Sequence, residues 1–117
     1  MPEDVTLSAS ARATVTGRAR ATVQIDDARV RVTEWRFRPG EATGHHRHEM
    51  PYVVVPMTTG ALESRGPGGV AVAQLTAGHA YTRPAGVEHD IVNTNSFEFV
   101  FVEIELKTTT LAPGGAR

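Results

Sequence analysis

The stretch "GHAYTRPAGVEHDIVN", residues 78–93, reads as two extended runs broken by a tight turn. Pro84 locks its own φ and Gly86 frees the backbone to bend, so "PAGVE" is turn chemistry. The run that follows starts at His89, and period-two alternation puts His89, Ile91 and Asn93 on one face. Upstream, "TGHHRHEMPYVVVP", residues 43–56, gathers three histidines into four positions of a chain that has five in all. The same alternation sends His46, His48 and Tyr52 to one side and turns His45 and Arg47 to the other. Two imidazoles are too few for a tight metal site. If the two runs pair as neighbouring strands, about 4.8 Å apart, His89 becomes the third donor to one ion, at roughly 2.0–2.1 Å from each nitrogen for zinc.

Outward from these segments the same β signal continues. "TVQI", "ARVRVTEWRF", "YVVVPM", "VAVAQL", "AYTRP" and "FEFVFVEIEL" are rich in Val, Ile, Phe, Tyr and Thr. Turn-forming clusters such as "PGEATG", "TTG", "RGPGG" and "NTNS" separate them. No window sustains a 3.6-residue period. Short strands at this spacing predict an all-β sandwich or barrel. The last strong strand, Phe97 to Leu106, carries Phe97, Phe99 and Phe101 on one side and Val100, Val102, Ile104 and Leu106 on the other. A strand apolar on both faces is covered on both, which favours a homodimer as the simplest closed assembly.

At 117 residues the chain makes one domain. Residues 1–21, poor in large apolar side chains, are expected to be an arm or weak edge strand. Residues 22–107 form the barrel domain and 108–117 a tail. Arg12, Arg18 and Arg20 belong to the arm and read as solvated charge. A net charge of -1 provides no field for nucleic acid or an anionic membrane. No apolar run is long enough for a spanning helix, and Glu3 and Asp4 make the N-terminus a poor secretory signal. The absence of cysteine removes thiolate ligands and disulfides, and a cytoplasmic location is the expectation.

The two histidine segments resemble the paired motifs of the cupin superfamily. Gly78, Pro84, Gly86, His89 and Asn93 match the second motif without a gap, and Gly40, His46, His48 and Gly60 match the first. The interval from Gly60 to Gly78 is also of cupin length, and the resemblance covers roughly residues 28–106. It implies a double-stranded β-helix, or jelly-roll barrel, with a metal inside. The chain is most similar to short, single-domain conserved-barrel cupins, some of which resemble a cupin associated with β-alanine degradation.

One position departs from the pattern. The family's first-motif glutamate would fall at 52 or 53, where Tyr52 and Val53 stand. Glu49 has outward parity and turns inward only if Pro51 imposes a bulge. The expected ligand set is therefore His46, His48 and His89, a set with precedent in the cupin thiol dioxygenases. Three neutral ligands leave a divalent ion its full +2 charge, and imidazole suits Fe, Zn, Ni or Cu.

The remaining candidates carry two readings each. Tyr52 reads first as a core aromatic and second as the group that orients substrate or a bound water in catalysis. Trp35 and Phe37 read as barrel lining before a substrate platform. Arg83, and Tyr81 before it, precede Pro84; an inward Arg83 would clamp a carboxylate, although a surface arginine is the plainer reading. Gly78, Pro84 and Gly86 shape turns, and Asn93 ties down the adjoining loop through its amide. His45 and His79 are expected outside. The leading function is a metal-dependent enzyme for a small polar or carboxylated metabolite, with dioxygenase chemistry first among the reactions. The other is a non-catalytic barrel that binds a small ligand or metal as a sensor or storage module.

Overall fold

The computed structural model describes residues 6–7 and 14–107, and among these no helix occurs. The strands are β1 (Thr6–Leu7), β2 (Gly17–Arg18), β3 (Arg20–Asp26), β4 (Val30–Phe37), β5 (Glu41–Ala42) and β6 (His46–Arg47). They continue as β7 (Tyr52–Pro56), β8 (Gly60–Gly66), β9 (Gly69–Leu75), β10 (Tyr81–Arg83), β11 (Glu88–Val92) and β12 (Phe99–Leu106). One sheet runs β1-β9-β8-β11-β5-β2, with β6 attached to β11; the other runs β10-β7-β12-β4-β3.

β12 is the spine of the second sheet. It pairs with β4 from Phe99↔Phe37 to Leu106↔Val30 and with β7 from Phe101↔Pro56 to Glu105↔Tyr52. Its alternation resolves as the sequence predicted. Phe99 and Phe101 are buried while Val100, Val102 and Ile104 are only partly covered. Phe97 differs from expectation: the strand begins two residues later, and Phe97 is exposed in the preceding loop. The core draws on both sheets. Phe37, Tyr52, Val54, Phe99 and Phe101 come from one, and Leu62, Ala73 and Leu75 from the other. Burying such side chains contributes about 1.5–3 kcal/mol each.

The expected arm is partly built into the sheets. β1 lies antiparallel to β9 and β2 parallel to β5, so pairing reaches upstream of residue 22. Arg20, placed in the arm, starts β3 and pairs with Glu41 at 3.1 Å. Arg12 and the tail 108–117 lie outside the described residues.

The motif glycines and Asn93 do structural work around the site. Gly78 and Gly86 hold φ of 82° and 96°, a region that a β-carbon disfavours. Gly86 donates its N–H to the His48 carbonyl at 2.8 Å, so the turn after Pro84 is stapled directly to the first histidine segment. Asn93 is fully buried. Its amide nitrogen donates to the Phe37 and Phe97 carbonyls, and its oxygen accepts from the Asn95 backbone and side chain. Asn93→Ala should therefore destabilise the fold by about 2 kcal/mol, since buried carbonyls lose their donor. Denaturant unfolding checks this; a change below about 0.5 kcal/mol would show that the network is dispensable.

Candidate metal centre

The two histidine segments meet because β6 and β11 pair antiparallel with His46 opposite His89. Directly opposed residues place their β-carbons roughly 5 Å apart. His48 lies one residue beyond β6, so it does not owe its direction to strand alternation alone. Its backbone N–H donates to the Val87 carbonyl at 2.8 Å, which holds it against the same turn. The loop before His46 is pinned as well. The Thr43 N–H donates to the Ile91 carbonyl at 2.9 Å, and the Gly44 N–H donates to Asp90 Oδ1 at 3.1 Å.

The three rings converge. His46 Nε2 lies 3.0 Å and His89 Nε2 3.1 Å from His48 Nε2. The spacing matches donors sharing one ion at about 2.0–2.1 Å. The tautomer of one ring follows from its partner: His46 Nδ1 is 2.8 Å from the Gly44 carbonyl oxygen, which can only accept. His46 Nδ1 therefore carries the proton, and its Nε2 presents a lone pair to His48. Three nitrogens this close repel one another unless a proton or cation lies among them. The donor set fits a divalent first-row ion.

Burial keeps two of the rings neutral. His48 is held down at about 4, chiefly by desolvation and then by the charges of His46 and Arg83. His89 is held at about 3 by burial, followed by His46, His48, Arg83 and His45. Both are thus free to ligate at neutral pH. Tyr52 is 2% exposed and stacks on His48 with ring centroids 3.9 Å apart and planes at 21°. Burial pushes its hydroxyl up to about 12, against the pull of Arg83. The Tyr81 hydroxyl is raised by burial too.

The triad opens on an interior cavity of about 70 Å³. His46, His89, Tyr52, Tyr81, Arg83 and Trp35 all line it. Arg83 faces inward because it stands opposite Tyr52 in the β10–β7 register. Phe37 does not line the cavity. It sits in the closed part of the core, its ring 5.5 Å from that of Phe101, which agrees with the first of its two readings, barrel lining. Glu49 is exposed and 3.4 Å from Arg47, pointing away from the imidazoles. His45 is exposed and meets Glu88 at 3.2 Å, and His79 is exposed.

Among the cavity's ionisable residues, Glu103 is the one the sequence reading does not single out. Glu103, 9% exposed, projects inward from β12 and places Oε2 3.9 Å from His48 Nε2. Burial pushes its carboxyl up to about 7, Glu105 adds to the rise, and a hydrogen bond from Trp35 opposes it. The signal was available in "FEFVFVEIEL". Glu103 shares the parity of Phe99 and Phe101, which places a carboxylate on the buried face of that strand.

No family model matches the chain. Beta-alanine degradation protein BauB of Pseudomonas aeruginosa is 55% identical over 95 residues, which span 80% of this chain and 100% of that protein. A cupin domain from Bordetella pertussis superposes with a TM-score of 0.79 at 58% identity, over 82% of this chain and 100% of that one. The chain is a cupin. It belongs to one family with the β-alanine degradation protein, and its two sheets are the faces of a double-stranded β-helix. A cupin-like protein of Thermotoga maritima shares that fold at a TM-score of 0.65 and 23% identity, over 80% of this cupin and 71% of the other. Among the described residues no helix is long and apolar enough to cross a membrane.

Proposed function

We propose that this cupin is a metal-dependent enzyme for a small carboxylated metabolite, with dioxygenase chemistry the first reaction to test. The observation that carries the reading is the meeting of three imidazole Nε2 atoms at the wall of a cavity that also holds Arg83. A divalent ion held by His46, His48 and His89 would supply Lewis-acid or redox chemistry there. The chain's own residues do the rest. Arg83 presents a planar fork that suits a carboxylate in bidentate contact. Tyr52 holds the face of His48 and keeps its hydroxyl protonated as a donor toward the cavity. Val54, Leu62, Ile91 and Phe101 close the apolar walls and exclude water.

Size narrows the substrate. A water needs about 10–15 Å³ of such space, so a cavity of about 70 Å³ takes on the order of five to seven non-hydrogen atoms. The name of the Pseudomonas relative ties that protein to the degradation of β-alanine, a three-carbon amino acid of this size that carries a carboxylate. Partly covered Val100, Val102 and Ile104 on β12, with exposed Val23 and Ile25 on β3, support a homodimer.

The test is oxygen uptake by protein loaded in turn with iron, zinc and nickel, over a panel of three-carbon carboxylates, thiols and β-diketones. Turnover confined to carboxylates with one metal supports the proposal. Saturable binding without turnover across the panel would replace it with a non-catalytic binding barrel. Where turnover is found, Arg83→Met should raise KM for the carboxylate about thirtyfold, roughly the 2 kcal/mol of a charge-assisted contact, and leave metal content unchanged. An unaltered KM would take Arg83 out of substrate recognition.

A further inference from the structure

We propose that Glu103 is the ammonium-binding residue of the cavity, set across β7 from Arg83, so that this cupin takes a short zwitterion whose amino group is held apart from its carboxylate. This rests on reading the cavity as a carboxylate site in which Arg83 holds the acid. β10 and β12 lie on either side of β7, about 10 Å apart across two strand spacings. Arg83 stands opposite Tyr52, and Glu103 opposite Val54, the next residue along the same buried face of β7. Both charged side chains line the cavity, and Glu103 is the one carboxylate among its lining residues. A cation and an anion thus enter one small space from opposite flanks.

Neither charge cancels the other. Among the described residues, the ion-pair contact of Glu103 is with His48, at 3.9 Å, while Arg83 donates a hydrogen bond to the Tyr52 hydroxyl. Tyr52 and Tyr81 feel both fields. Burial raises each hydroxyl most; behind it, Arg83 pulls each one down and Glu103 pushes it up. An ion on the triad does not take the carboxylate either. Donors that share an ion at about 2.1 Å lie no more than about 4.2 Å apart. Glu103 groups with His48 and Glu105 but stands more than 4.8 Å from His46 or from His89. The Trp35 indole donates one hydrogen bond to it, and a carboxylate has about four acceptor sites, so acceptor capacity remains for a ligand.

Charge decides which ligand group goes where. A buried carboxylate is costly unless a cation pairs with it, and an alkyl ammonium supplies that cation with three N–H donors. Arg83 and a divalent ion on the triad repel the ammonium, which leaves the Glu103 flank as its place and fixes the direction in which the substrate lies. An α-amino acid carries both charges on one carbon; an ω-amino acid separates them, as residues on opposite flanks require. A chain of about three or four carbons matches a cavity of about 70 Å³.

Protein loaded with zinc is titrated calorimetrically with two matched pairs, β-alanine against propionate and 4-aminobutanoate against butanoate. The proteins are wild type, Glu103→Gln, Glu103→Asp and Arg83→Met. In at least one pair, wild type should bind the amino acid about tenfold or more tighter than its amine-free counterpart, the effect of one charge-assisted contact. Glu103→Gln should remove that preference while binding the plain acid at least as tightly as wild type does, and Glu103→Asp should keep part of it. Arg83→Met should weaken the amino acid and the plain acid alike. No preference in either pair, a preference that survives in Glu103→Gln, or a loss in that variant shared equally by both members overturns the proposal. Glu103 would then only offset the charge of the centre, and weakened plain acids in Arg83→Met would leave the carboxylate reading standing. Failure of all four acids to bind wild type would remove the carboxylate reading itself, and the role of Glu103 with it.

Discussion

Replacing His48 by alanine should leave the purified protein essentially free of metal, with affinity for a divalent first-row ion at least about a hundredfold below wild type. Loss of a mere outer partner of a metal site already costs about 10–100-fold, and His48 is proposed as a direct donor. It is also the central one, since its Nε2 is the atom within 3.0 and 3.1 Å of the other two. The fold should survive. The bonds that tie residue 48 to the turn, its N–H to Val87 and its carbonyl to Gly86, belong to the backbone. Losing a buried ring stacked on Tyr52 should cost about 2 kcal/mol. Elemental analysis after identical growth and dialysis reads the outcome, with His45→Ala as the control, because His45 is exposed and faces Glu88. Metal at the same stoichiometry in wild type and His48→Ala would show that the convergent rings are not the centre.

The metal-free protein should be most stable in mildly acidic solution, and Glu103→Gln should abolish most of its loss on the alkaline side. The Glu103 carboxyl is pushed up from 4.5 to about 7 by burial, reinforced by Glu105. Its contribution to stability is therefore complete below 4.5 and is lost as pH rises through 7. At about 1.4 kcal/mol per pH unit, the full loss is about 3 kcal/mol. His48 and His89 act in the opposite sense. They are held at about 4 and about 3 against an ordinary 6.5, by burial and by the neighbouring charges of His46 and Arg83. Their contribution is complete above 6.5 and is lost as pH falls through 4 and 3. Over the shared range two histidines gain while one glutamate loses, so the optimum lies near 6.5. At pH 8.5 the Gln variant should melt on the order of 10 °C above wild type in chelator-treated buffer. Calorimetry from pH 5 to 8.5 tests this; parallel curves for the two proteins would mean that Glu103 is not desolvated in the native state.

Much of this was legible in the linear order of residues. Alternation and turn chemistry are local properties, so the all-β class, the turn at Pro84–Gly86 and the two runs carrying His46, His48 and His89 could be read without coordinates. So could the extended strand of Phe99 and Phe101. Phe97 was misplaced because the point where pairing starts depends on the loop held by Asn93 and Asn95, not on the hydrophobicity of the residue.

The composition of the cavity was a different matter. Arg83 and Glu103 enter it from strands on either side of β7, and Trp35 from β4 beyond β12. Phe37, two residues from Trp35, is excluded. Alternation tells which residues share a face; it says nothing about where along that face the barrel closes into packed core or opens into a pocket. That depends on the register of strands far apart in the chain and on the curvature of two sheets against each other. The order of residues determined the shell and its three imidazoles. Only the folded structure decided which charged groups share their cavity, because that proximity is set by long-range pairing between strands.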